Sequence, residues 1–296
     1  MGKLKRIAVT GLTGQVVSSL IERAPNGVEM LALGRPRFDL SSRDMVLASL
    51  RSVRCDAIIN AAAYTQVDKA ESEPDVAMNV NGAGAGYVAE TASELNVPLL
   101  HLSTDYVFDG QSDRPYREDD APCPAGAYGR SKLEGEKQIA ARCDNCVILR
   151  TAWVYSPFGA NFVKTMLRLG ETRDEIGVVA DQIGNPTSAL DIADALLAIA
   201  ERLVGDSDAR LRGVFHLTGQ GEASWADMAE AIFSAAEARG RKPVRVKRIA
   251  TADYPTPARR PANSRLDNAK LNAHYGIALP NWRDSLDACV ARLIPN

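Results

Sequence analysis

The chain carries little that could bind a metal or form a redox centre. It has three histidines, His101, His216 and His274, and five cysteines without regular spacing. Scattered cysteines make no disulfide framework, so a reducing compartment is expected. Cys143-Asp144-Asn145-Cys146 has no second pair to complete a metal site and reads as a helix end running into a strand. Two of the histidines sit in strand-like runs, and all three are read as structural. Charge of one sign is also missing: 35 basic against 37 acidic residues give a net charge of -2. Such a chain has no basic stripe for nucleic acid. No apolar run reaches the ~20 residues of a membrane span. A core strand follows Met1 so closely that no signal peptide is expected. The expectation is a cytoplasmic protein with neither nucleic acid nor membrane as partner.

What is present suits an ordinary globular protein: 46% hydrophobic and 24% charged residues over 296 positions, enough for one large or two modest domains. The run Arg6-Ile7-Ala8-Val9-Thr10 reads as a strand, Gly11-Leu12-Thr13-Gly14 as a turn, and 16–23 as an amphipathic helix. Backbone amides of such a turn, at the positive end of a helix, cradle a pyrophosphate. Gly11 and Gly14 permit the tight turn and the close approach. A third glycine, which would serve helix–strand packing, is replaced by Val17. A second strand, 29–33, ends in Gly34-Arg35-Pro36-Arg37, with no carboxylate before Asp39. An acidic residue here would bind a ribose 2′-hydroxyl, whereas an arginine accommodates a 2′-phosphate. NADPH is therefore expected over NADH, with NADH as the alternative.

Helices and strands go on alternating, which implies a parallel sheet. Helices are expected over 42–53, capped by Ser41 or Ser42, over 74–95 and from Tyr128 to about 141. Strands are expected over 56–60, 98–103 and 147–150. Ala61, Ala62 and Ala63 leave room for a ligand at the carboxyl end of a strand, where open α/β sheets bind theirs. Tyr128 and Lys132 lie four apart on one helix face. A nearby ammonium favours the phenolate, so Lys132 is expected to lower the Tyr128 pKa. Thr104, at a strand end, is placed to bond the same reacting oxygen. Past Thr151 the layout changes: helices at 162–170, 188–204 and 282–293, strands at 176–179, 213–217 and 244–248, and a capping box Ser224-Trp225-Ala226-Asp227. The expected fold class is α/β: a doubly wound parallel sheet over 1–150, joined by part of 180–220, with a smaller, discontinuous α+β substrate lobe over 151–296. The active site is expected between them.

Six segments in order, 60–74 (NAAAYTQVDKAESEP), 103–110 (STDYVFDG), 128–132 (YGRSK), 150–155 (RTAWVY), 181–187 (DQIGNPT) and 254–267 (YPTPARRPANSRLD), resemble the dTDP-4-dehydrorhamnose reductases. That family is a branch of the extended short-chain dehydrogenases, with a Rossmann-type cofactor domain. The resemblance implies NADPH-dependent reduction of the C4 ketone of dTDP-4-dehydro-L-rhamnose, a nucleotide sugar, to dTDP-L-rhamnose, a step toward cell-surface polysaccharide. It implies Tyr128 as proton donor, Lys132 as ribose contact and Thr104 as the group that polarises the ketone. It places Gly14, Gln15, Val16, Asp39, Leu40, Ala62, Ala63, Tyr64, Thr65 and Leu102 at the cofactor, beside Gly11 and Arg35. Asp105 and Trp153 fall at the sugar, and Arg259 and Arg260 are candidates for its diphosphate. Some family members bind magnesium through glutamates at a dimer interface. Ser19 and Leu190 stand at those positions, so no structural Mg²⁺ is expected, and a monomer or weak homodimer is. The alternatives are a reductase or epimerase of another nucleotide-4-keto-sugar, or a non-catalytic NADP-binding regulatory subunit. A 4,6-dehydratase would follow the catalytic threonine with Asp-Glu, but Tyr106 follows Asp105.

Overall fold

Two sets of helices enclose one parallel sheet, and the alternation of side chains along each strand divides the core between them. The computed structural model describes residues 4–295; Met1 lies outside the described residues. In chain order the first half gives β1 (Arg6–Thr10), α1 (Gln15–Arg23), β2 (Glu29–Leu33), α2 (Arg43–Ser52), β3 (Ala57–Asn60), α3 (Gly84–Leu95), β4 (Leu99–Thr104), α4 (Ala127–Ala140) and β5 (Cys146–Thr151). The second half gives α5 (Phe162–Gly170), β6 (Glu175–Val179), α6 (Ala189–Gly205), β7 (Gly213–His216), α7 (Trp225–Glu237), β8 (Arg245–Ile249) and α8 (Trp282–Leu293). The main sheet runs β7-β5-β4-β3-β1-β2, every pair parallel. Strands covered on both faces are apolar throughout rather than alternating with polar residues. Ile7, Val9, Ile59 and Leu149 turn toward α1 and α6, meeting Leu20, Ile192, Leu196 and Ile199. Ala8, Ile58, Leu99 and Ile148 turn the other way, onto Val46, Leu50, Val88 and Ile139 of α2, α3 and α4. A separate cluster joins α5, α7 and α8 to β6 through Val163, Met166, Ile176, Ile232 and Trp282.

Ser42 is the cap of α2, its side chain accepting from the Met45 amide. The capping box at Ser224 is complete, with Asp227 returning a bond to the Ser224 amide at 2.8 Å. All five cysteines are unpaired. Burial pushes the Cys146 thiol up to about 12, the reverse of a reactive thiolate. The stretch 74–95 departs from the expectation of a plain α-helix. It begins as Pro74–Ala77, widens into π turns over Met78–Ala83, and resumes as α3. The widened turns carry Asn81, which is buried and bonded both to the Tyr64 backbone and to Ser131 on α4.

Helix α4 approaches the sheet edge through Gly129. A Cβ there would stand 2.1 Å from the carbonyl oxygen of Tyr106, a backbone atom with no room to retreat. Gly129→Ala should therefore lower the stability of the ligand-free protein by about 2 kcal/mol, as overpacking does. Gly205→Ala, where a Cβ would meet nothing within 4 Å, should leave it unchanged or slightly raised. Urea unfolding of both variants checks this; equal midpoints would refute the close approach.

Candidate active site

Strand β1 ends at Thr10, and Gly11 turns the chain with φ +102°, a conformation that favours glycine. A Cβ at Gly11 would stand 3.1 Å from Val17, so the valine fills the space beneath the turn and is itself buried in the core. Val17 thus does the packing expected of the missing third glycine. Gly14 is the N-cap of α1 and supplies no side-chain cap, leaving the first amides of the helix without a side-chain partner. Those amides, Gln15 and Val16 among them, form a cradle suited to an anion. The Val16 side chain points into the core, so the backbone is what it offers. The Gln15 carboxamide is already committed: Ser156 and Asn161 donate to its Oε1 at 2.9 and 3.0 Å. After β2, Arg35 is 74% exposed and its Nε lies 2.8 Å from Asp39 Oδ2. Four positions separate that carboxylate from the arginine in sequence, and the turn over 34–38 folds the two together. Leu40 is buried, Ala62 donates its amide to Thr10 Oγ1, and Tyr64 is clamped by Asn81 beside the exposed Thr65. Ala63 lies between these two anchored backbones. The residues present fit a dinucleotide.

At the carboxyl edge of the sheet, Thr104 closes β4 and Lys132 rises from α4. Lys132 is 2% exposed, and its Nζ donates to the Leu102 carbonyl at 2.7 Å. Burial brings the ammonium down to about 8, against the opposing pull of the Glu136 carboxylate. Thr104 Oγ1 lies 2.9 Å from Asp105 Oδ1, and the Tyr128 side chain is close to both. The fold thus places Thr104 near Tyr128, with Lys132 one turn further along α4. One expectation fails. The Tyr128 phenol is raised above its ordinary value, first by burial and then by the Asp105 charge, with the Thr104 hydroxyl working the other way. Lys132 is drawn instead to the Leu102 carbonyl and to His101. Asp105 is itself 4% exposed, its Oδ2 has no hydrogen-bond partner among the described residues, and burial pushes the carboxyl up to about 6.

The substrate-side residues are arranged less simply. Trp153 takes a left-handed φ of +49° and stacks on Trp225 with ring centroids 3.6 Å apart. Arg259 and Arg260 line a cavity of about 520 Å³ with Asp109, Ser112 and Asp181. Arg260, however, is not a free diphosphate partner: it pairs with Asp68 at 2.7 Å and donates to the Tyr106 hydroxyl at 3.1 Å. Tyr106 in turn meets Tyr128 edge-on, with centroids 5.6 Å apart. Ser19 is buried with its hydroxyl on the Gln15 carbonyl, and Leu190 opens α6 with its amide on Ser188.

Sequence reasoning missed the residues that hold these groups. Asp68 receives Arg260 and the Ala258 amide, Glu71 accepts the Ala127 amide at the start of α4, and Glu73 takes the Tyr64 hydroxyl. Segment 60–74 is thus bonded to segment 254–267 and to the start of α4. Beneath them Glu136 and Arg150 form an ion pair at 2.7 Å, both almost wholly buried. Polar residues inside apolar runs, His101 in β4 and Arg150 in β5, were the available signal.

Because the folded-state pKa of Asp105 lies above that of the unfolded chain, the native state retains a proton that the unfolded chain releases between pH ~4 and ~6. Stability should fall as pH rises through that window, by on the order of 2–3 kcal/mol. Asp105→Asn removes the titration. Urea unfolding of both ligand-free proteins at pH 4.5 and 7 should show the wild type losing stability relative to the variant; parallel profiles would contradict the buried carboxyl.

The RmlD substrate binding domain family matches residues 5–294. A dTDP-4-dehydrorhamnose reductase of Sinorhizobium fredii is 53% identical over 289 residues, 98% of each chain. Among solved structures, a dTDP-4-dehydrorhamnose reductase of Clostridium acetobutylicum superposes with a TM-score of 0.90 at 36% identity, covering 97% of this chain and 99% of that one. The enzyme of the same name from Bacillus anthracis, solved in complex with NADP, gives 0.90 at 33% identity, covering 99% and 100%. With these likenesses along almost its whole length, the chain belongs to the dTDP-4-dehydrorhamnose reductase family.

Proposed function

We propose that this protein reduces the C4 ketone of dTDP-4-dehydro-L-rhamnose to give dTDP-L-rhamnose, with NADPH as the reductant. The observation that carries the reading is the placing of Thr104 at the end of β4 beside a helix that carries Tyr128 and the buried Lys132 on one face, at the carboxyl edge of a sheet whose first helix offers uncapped amides. The bound nicotinamide supplies the hydride. Tyr128 gives its proton to the ketone oxygen, and a raised pKa keeps it protonated until alkoxide charge develops. Thr104 hydrogen-bonds the same oxygen, and Lys132 holds the ribose. Asp105 and Trp153 face the sugar. Arg259, exposed in the cavity, takes the diphosphate, and Arg260 braces Tyr106.

Arg35, at the end of β2, recognises the 2′-phosphate, whose two charges outcompete the single carboxylate of Asp39. The reading includes no magnesium, since Ser19 and Leu190 bring no carboxylate where a metal would need one. It treats the chain as a cytoplasmic monomer or weak homodimer. Residues 1–150 with β7 form the cofactor unit, and the rest of 151–296 forms the substrate lobe.

Tyr128→Phe should lower kcat by roughly 10²–10⁴-fold. NADPH affinity in that variant, measured by fluorescence titration, should stay within about threefold. Near-full turnover would remove Tyr128 as the acid. A wild type that binds NADPH but turns nothing over would favour a regulatory subunit. Arg35→Ala should narrow the preference of kcat/KM for NADPH over NADH by about tenfold or more, the worth of a charge-assisted bond. An unchanged ratio would remove Arg35 from cofactor choice.

A further inference from the structure

Behind Lys132 lies a closed polar chain that the reaction scheme leaves unused. His101, on β4, is wholly buried. Its Nε2 lies 3.2 Å from Lys132 Nζ, and its Nδ1 lies 2.9 Å from Asn60 Nδ2. Asn60, at the end of β3, accepts the Thr10 hydroxyl at 2.7 Å, and Thr10 accepts the Ala62 amide at 3.0 Å. The chain therefore runs from the catalytic lysine, across three neighbouring strands, to the backbone next to the cofactor turn. Nothing in packing demands an imidazole here: the neighbouring positions on β4 are leucines.

The proton count in this chain is restrictive. An imidazole buried beside a cation stays neutral, so one ring nitrogen donates and the other accepts. An ammonium can only donate. With Lys132 charged, Nε2 must accept, Nδ1 must carry the proton, and Asn60 must turn its carbonyl oxygen to it. With Lys132 a neutral amine, Nε2–H donates to the Nζ lone pair and Nδ1 accepts from Asn60 Nδ2; the 3.2 and 2.9 Å contacts accommodate either state once the Asn60 amide turns. Passing from the first state to the second loses one proton overall: Nε2 gains the proton that Nζ gives up, and the proton on Nδ1 leaves. We propose that His101 is a positioning residue for the reaction, holding Lys132 Nζ through Nε2, with its tautomer, set from behind by Asn60, following the charge of that lysine.

The other charged and titratable groups around this lysine are accounted for. On α4, Glu136 lies one turn beyond Lys132 but is neutralised by Arg150 of β5 and bonded by Ser103. Tyr128 lies one turn before, with Asp105 beside it. None of them touches the imidazole. Burial brings the Lys132 ammonium down to about 8, which places the switch within an ordinary pH titration.

The test begins with the ligand-free wild type and so stands apart from the proposed activity. Long-range ¹H–¹⁵N spectra should show His101 passing from the Nδ1–H to the Nε2–H tautomer between pH 7 and 9. The ¹³Cε signal of Lys132 should titrate with the same midpoint. A tautomer that stays fixed while the lysine titrates would overturn the proposal. In His101→Leu the ammonium loses an acceptor, so the Lys132 midpoint should drop by about one unit, the worth of one charge-assisted hydrogen bond. Since the charged form of Lys132 is the one that holds the ribose in the proposed reaction, turnover should fall on an alkaline limb that drops with this midpoint, giving about tenfold less turnover at pH 8.5 and near-normal turnover at pH 6.5. His101→Gln, which can present an acceptor, should recover most of the limb. A His101→Leu enzyme that is less heat-stable yet keeps the wild-type pH profile would make the histidine a packing residue only. If no substrate were turned over, the function proposal would fail while the spectra still decided this one.

Discussion

The site depends on an ammonium held out of water. Burying a charge costs several kcal/mol unless hydrogen bonds replace its hydration. Lys132 has two such partners, the Leu102 carbonyl and the His101 ring, both on β4. The arrangement holds only if α4 lies hard against that strand. Gly129 admits the Tyr106 carbonyl, Asn81 ties Ser131 to Tyr64, and Glu71 caps the first turn. Each fixes the helix in a different direction. Together they give Tyr128 and Lys132 a defined place relative to Thr104.

The same burial acts on every titratable group nearby. It raises Tyr128 and Asp105 and lowers Lys132. A protein interior that disfavours charge keeps a buried phenol protonated, which is the state that the proposed role of Tyr128 as proton donor requires. The Glu136–Arg150 pair is buried as well, its guanidinium over the Phe108 ring. Glu136 also accepts the Ser103 hydroxyl, which ties the pair to the strand that carries Thr104.

Much of the fold was legible because its signals are local. Apolar β-branched runs gave the strands to within a residue or two, and β2, α5 and α8 to the residue. The glycine turn and the Tyr–Lys spacing are equally short-range. What could not be read was what distant segments do to each other. Nothing in the neighbourhood of Arg260 announces Asp68, 192 positions away, or shows that the pair removes Arg260 from the free cations. The lowering of Tyr128 by Lys132 was inferred from spacing alone, without the desolvation that outweighs it. His101 was read as structural because an isolated histidine in a strand has no visible partner; Lys132 lies 31 positions on.

The central claim is that a hydride goes to C4 of a nucleotide-linked keto sugar at the Thr104–Tyr128–Lys132 centre. The most direct measurement uses NADPH deuterated at the nicotinamide C4 on the transferred face, with dTDP-4-dehydro-L-rhamnose, and reads the product by ¹H and ²H NMR. The account predicts one deuteron at C4 of the product sugar for each NADPH oxidised. Deuterium at any other carbon, or product formed without NADPH consumption, would contradict it.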